Sequence, residues 1–126
     1  MLEIGIRGSG EAVVTEALTA RAVGSGELPV YATPAMLALV EETAWKSVAP
    51  ELEPGRSTVG TKLGFSHLAA TAVGRRVRCE TVLTEIDRRR LVFSAEVFDE
   101  AGKIGEGAHE RFIVDSERFL AKADAR

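Results

Sequence analysis

The chain has 126 residues, with sixteen Lys and Arg against nineteen Asp and Glu, a formal net charge of −3. That length fits one domain able to bury a core, and the mild acidity argues against a chain that holds nucleic acid by charge alone. The lone cysteine, Cys79, excludes an internal disulfide framework and a cysteine-based metal site.

No apolar run approaches the roughly 20 residues a membrane span needs. The N-terminus has no basic-then-apolar leader pattern. A soluble, cytoplasmic protein is expected, with neither nucleic acid nor membrane as partner.

Residues 2–18 alternate in stretches such as Leu2-Glu3-Ile4-Gly5-Ile6, which predicts one or two strand segments, broken by Gly8-Ser9-Gly10. Residues 22–32, with Gly24, Gly26 and Pro29, read as a loop. Thr33 and Pro34 then form a helix-start signal, Thr33 as the cap and Pro34 where no N–H is needed. The helix should end near Ser47 or Val48, ahead of Pro50 and Pro54. From Ser57 the period changes to two. Strands are predicted over 58–68, 76–86, 91–98 and from Lys103 to about Val114, with turns at Asp87–Arg90 and Asp99–Gly102. A short amphipathic tail from Ser116 completes the chain. One helix and four antiparallel strands in a meander give an α+β layer. The helix is apolar on more than one side, so the sheet must wrap around it or a second subunit must cover the rest.

Within that helix, six apolar residues, Ala35 to Val40, run straight into an acid, Glu41. A carboxylate on a core helix is costly unless it is paired, neutralised or used. Its neighbour Glu42 lies about 100° around the helix and can pair with Lys46 at i+4, which leaves Glu41 as the inward candidate. Desolvation there would suit Glu41 to take a proton near neutral pH.

There are two histidines. His67 ends the first strand after the helix, and His109 shares a strand face with Arg111 while Glu110 takes the other. A cross-strand salt bridge would account for the charged pair. Thr33 is explained as a cap, and it could also bond a substrate carbonyl at the helix start. Thr33 and Glu41 lie roughly 12 Å apart along the axis, so within one helix they cannot touch. Gly60 and Gly64, inside a strand, suggest close approach by another group. The arginines at 75–78 and 88–90 read as solvated turns or as a surface for an anionic ligand's phosphates. No metal-ligand spacing, phosphate loop or serine elbow is present.

Four segments resemble the hot-dog-fold acyl-CoA thioesterases, and within them the fluoroacetyl-CoA thioesterase-like group. These are Thr33 to Ala44, Ala49 to Gly55, Val59 to Thr71, and Ile104 to Arg111. The resemblance implies a single hot-dog domain over 1–126, an antiparallel sheet wrapped around one long helix. It further implies a homodimer or dimer of dimers with active sites at the interface. It carries over Thr33, Glu41 and His67 as catalytic residues, the Gly60 backbone as part of the thioester site, and Arg111 as a substrate-site arginine. The implied reaction is hydrolysis of a short-chain acyl-CoA with no cofactor, coenzyme A being part of the substrate. Two alternatives are a non-catalytic acyl-CoA-binding dimer and an enoyl-CoA hydratase, whose usual Asp/His pair is not seen. One departure bears on the acyl group. Fluoroacetyl-specific members close their pocket with phenylalanines just before the helix, and Leu28-Pro29-Val30-Tyr31-Ala32 contains none. A different short acyl group is therefore expected.

Overall fold

Helix α2 (Thr33–Val48) is the axis on which the chain is built in the computed structural model, which describes residues 1–126. Before it come β1 (Arg7–Val13) and a four-residue helix α1 (Ala20–Val23). After it come β2 (Arg56–His67), β3 (Arg76–Asp87), β4 (Arg90–Asp99), β5 (Gly102–Asp115) and a terminal helix α3 (Ser116–Asp124). The strands form one antiparallel sheet in the order β1-β3-β4-β5-β2.

Only β3, β4 and β5 run as the expected meander. β2 instead lies at the far edge, paired with β5 from Arg56–Asp115 to His67–Gly105. The link after β2 explains the difference. It does not close a hairpin, because it is tied to the segment before α2: Tyr31 N–H donates to Thr71 O at 2.8 Å, and Val30 bridges Ala72. The chain therefore crosses the sheet before β3 begins.

Helix α2 buries Met36, Leu39, Val40, Thr43, Ala44 and Val48, spaced three and four apart as one face of a helix requires. They pack on inward-facing residues of the sheet such as Val77, Leu83, Phe93 and Val97. The apolar run 35–40 is thus not buried on all sides. Ala38 is exposed, and Trp45 keeps 42% of its surface. Glu42 pairs with Lys46 at 3.5 Å on the outer face, as its spacing implied.

The glycines expected to break the first strand lie inside β1. A Cβ at Gly8 would sit 2.9 Å from the Thr43 carbonyl oxygen and 2.9 Å from Ser47 Cβ. Glycine here lets α2 press against the strand. The amphipathic tail forms helix α3, with Asp115 accepting from the Arg118 N–H at 3.2 Å. Half of the arginines in the two runs pair with carboxylates: Arg90 reaches Glu110 and Glu85, Arg78 reaches Glu80, and Arg88 reaches Asp87.

Gly8→Ala should cost about 1–3 kcal/mol, since a backbone carbonyl cannot move aside as a side chain can. Urea denaturation checks this, and an unchanged midpoint would mean that β1 yields freely.

Candidate active site

The expected site residues fall into two groups, one at the start of α2 and one halfway along it. At the start, Thr33 is the first residue of the helix and Ala32, in extended backbone, is the cap. The Thr33 hydroxyl caps nothing. It lies 2.7 Å from His67 Nδ1, drawn across to the end of β2. This corrects the reading of Thr33 as N-cap, and the imidazole is the reason. His67 Nε2 is buried and meets no hydrogen-bond partner in the chain. Beside the pair is a cleft of about 360 Å³ lined by Val30, Tyr31, Leu68, Ala69 and Ala70. The Tyr31 hydroxyl is pushed up to about 12, chiefly by burial, so it remains a donor.

The second group gathers around Arg111. Its guanidinium is 6% exposed and makes four hydrogen bonds. Nε donates to Thr58 Oγ1 at 2.8 Å and Nη2 to Thr58 O at 3.0 Å. Nη1 donates to Glu41 Oε2 at 3.2 Å and to His109 Nε2 at 3.0 Å. Burial pulls the guanidinium down and Glu41 pulls it back up, and an arginine so placed keeps its charge. Glu41 is the only carboxylate within ion-pairing reach of it.

Glu41 itself is not enclosed by this chain. It retains 46% of its side-chain surface, against the expectation of a deeply buried acid. The helix geometry explains this. Val40 and Ala44 take the core direction, and Glu41 leans over the rim toward β2 and β5. Gly60 makes that possible. A Cβ there would collide with Glu41 Oε2 and would lie 3.3 Å from His109 Cε1. The strand register also shifts between Gly60 and Lys62, a bulge of the kind that re-aims a strand beside a site. Gly64, by contrast, has open space around it.

Thr33 and His67 are thus brought together, and so are Glu41, Gly60 and Arg111. The two groups are not joined within one chain. Two participants went unassigned from sequence. His109, 1% exposed, and Thr58 both hold Arg111. The shared face of His109 and Arg111 was the available signal for the first; Thr58 gave none. Cys79 is fully buried and its thiol is pushed up to about 11, mainly by burial, so it is no nucleophile. No helix is long and apolar enough to cross a membrane.

The geometry has close parallels among solved proteins. The chain superimposes on a hot-dog-like protein from Thermanaerovibrio acidaminovorans with a TM-score of 0.91, over 99% of this chain and 93% of the other, at 20% identity. A hot-dog fold is therefore what the sheet and helix form. The structure of the fluoroacetyl-CoA thioesterase FlK matches with a TM-score of 0.94 at 32% identity, over 100% of this chain and 98% of that one. In sequence, the fluoroacetyl-CoA thioesterase of Streptantibioticus cattleyicolor is 38% identical over 93 residues, 74% of this chain and 67% of that protein. The profile of the fluoroacetyl-CoA-specific thioesterase family matches residues 14–117. The chain belongs to that family and is an acyl-CoA thioesterase.

Burial holds the His109 imidazole below the ordinary histidine range, and Arg111 adds to this against the Lys62 carbonyl and Glu41. A histidine lowered in the folded state favours folding above its unfolded value, near 6.5. That contribution is lost as pH falls from there through the folded value. Urea midpoints should be level above pH 7 and decline below about 6.5; a midpoint unchanged down to pH 5 would contradict the buried neutral ring.

Proposed function

We propose that the protein hydrolyses a short-chain acyl-CoA at a site shared between two chains, with Thr33 and His67 from one and Glu41, Gly60 and Arg111 from the other. The observation that carries this is the 2.7 Å bond between Thr33 and His67, formed at a distance from Glu41 that one helix cannot close. A thioesterase needs a group to activate water, a group to protonate the leaving sulfur and donors for the carbonyl oxygen. One chain supplies these at separate places.

The edge strand β2 offers the means of joining them. It is twelve residues long and its outer side has no neighbouring strand. Such an edge pairs readily with a second copy. An antiparallel pairing centred between Leu63 and Gly64 sets Gly60 opposite the partner's His67. Glu41 then faces the partner's Thr33 across the joint, in a single domain that is active only as a dimer.

In this arrangement Glu41 takes a proton from water as the water oxygen bonds to the thioester carbonyl. Thr33 and backbone N–H groups near Gly60 polarise that carbonyl. The carbon–sulfur bond breaks, and His67 gives its proton to the departing thiolate. Carboxylic acid and free coenzyme A result. Direct attack by Glu41, giving an anhydride that water opens, uses the same contacts. Oxygen-18 transfer from labelled water into the Glu41 carboxyl separates the two routes. The cleft at His67, walled by Val30, Leu68, Ala69 and Ala70, takes the acyl group, and the absence of phenylalanine from 28–32 favours a short chain other than fluoroacetyl.

Glu41→Gln should lower thiol release from acetyl-CoA at least about 100-fold. It also leaves Arg111 without its counter-charge, at a cost of about 1–2 kcal/mol, less than for a fully buried pair because Glu41 is half exposed. Denaturation of the same variant shows whether the fold is retained. Full activity would remove Glu41 from the reaction.

Subunit mixing tests the sharing. Thr33→Ala and Glu41→Gln chains, each inactive alone, should regain roughly a quarter of wild-type activity when mixed through reversible unfolding, since mixed dimers carry one intact site. No recovery would place both residues in one chain's site.

A further inference from the structure

His109 is nearly fully buried beneath the site, and its two neighbours each allow only one kind of hydrogen bond. The Lys62 carbonyl oxygen, 2.8 Å from Nδ1, can only accept, so Nδ1 carries the proton. The Arg111 guanidinium, 3.0 Å from Nε2, can only donate, so Nε2 presents its lone pair. Together they admit a single tautomer of the neutral ring. A second proton, on Nε2, would face a guanidinium N–H at 3.0 Å.

The same Nη1 of Arg111 that meets His109 also donates to Glu41. With Thr58 holding Nε and Nη2, His109 supplies the remaining contact that fixes the direction of Nη1. We propose that neutral His109 is the positioning residue that aims Arg111 at Glu41, and that protonation of His109 releases this hold at the acid end of the pH range. The inference rests on the reading of Glu41 as the group that activates water.

The charged groups around the ring agree with that role. From α2, Glu41 Oε2 lies 3.9 Å from Nε2, so a protonated ring would compete with Arg111 for the carboxylate. On β5, Arg111 opposes the second proton, and Glu110 is turned to the other face, bonded to Arg90 at 2.8 Å. β2 contributes the Lys62 carbonyl and, on the exposed side, the Lys62 ammonium. From β4 comes Phe93, stacked at 6.2 Å between centroids and uncharged. Burial further disfavours the charged ring.

The test compares the pH profile of kcat/KM for acetyl-CoA hydrolysis in wild type, His109→Gln and His109→Leu, with Glu41→Gln as control. Long-range proton–nitrogen NMR reads the His109 tautomer independently of activity. The wild type should lose activity on the acid side in step with His109 protonation, and the ring should be Nδ1–H above pH 7. His109→Gln keeps an acceptor for Arg111 and cannot titrate. It should hold kcat at pH 7.5 within about threefold and shift the acid limb down by about one pH unit or more. His109→Leu should lose about tenfold to a hundredfold in kcat with a smaller change in KM. An unmoved acid limb in His109→Gln, an Nε2–H tautomer, or a folded His109→Leu enzyme with wild-type kcat each overturns the proposal. An active Glu41→Gln control would instead overturn the role of Glu41 and leave the NMR result to decide the hydrogen bonding alone.

Discussion

A buried guanidinium sets the terms for this half of the molecule. Arg111 sits between helix and sheet, out of water, and an isolated charge in that position would be prohibitive. Four hydrogen bonds, one of them to a carboxylate, make it tolerable. Each partner comes from a different place: Thr58 from β2, His109 from β5 itself, Glu41 from α2. Satisfying the charge therefore fixes how far along the sheet the helix lies. It also holds the carboxylate at the rim, half exposed, where a core position would have sealed it from solvent.

The glycines serve the same constraint. α2 can lie close to β1 because Gly8 has no side chain, and Glu41 can reach over β2 because Gly60 has none. The bulge after Gly60 completes the fit. What looked like gaps in a strand pattern are contact points for the helix. Gly64, which shares the strand with Gly60, has no such neighbour, so spacing alone does not tell a contact glycine from a free one.

Helix α2 was legible almost to the residue, because Pro34 and Pro50 bracket a periodic apolar face. The strands were legible from their alternation, and the 88–89 and 100–101 connections from their short polar turns. The place of β2 was not. Alternation gives a strand its faces but not its neighbours, and the tie between Tyr31 and Thr71 is a long-range contact without a local pattern. Thr33 misled for a related reason. Its position satisfies every local rule for a cap, and only the fold brings His67 near enough to claim the hydroxyl. Among the site residues, Glu41 stood out as a misfit, whereas His109 was seen on the face of Arg111 but fit an ordinary strand, and Thr58 drew no notice.

The open edge of β2 carries a consequence for dilution. The strand bears Gly60 and His67 at different points along its length, and a lone chain leaves its whole outer side unpaired. Under the proposed pairing, association and catalysis draw on the same strand, so specific activity becomes a function of protein concentration. Chains below the dissociation constant would fold around their own core, hold Arg111 and its partners in place, and still turn over nothing.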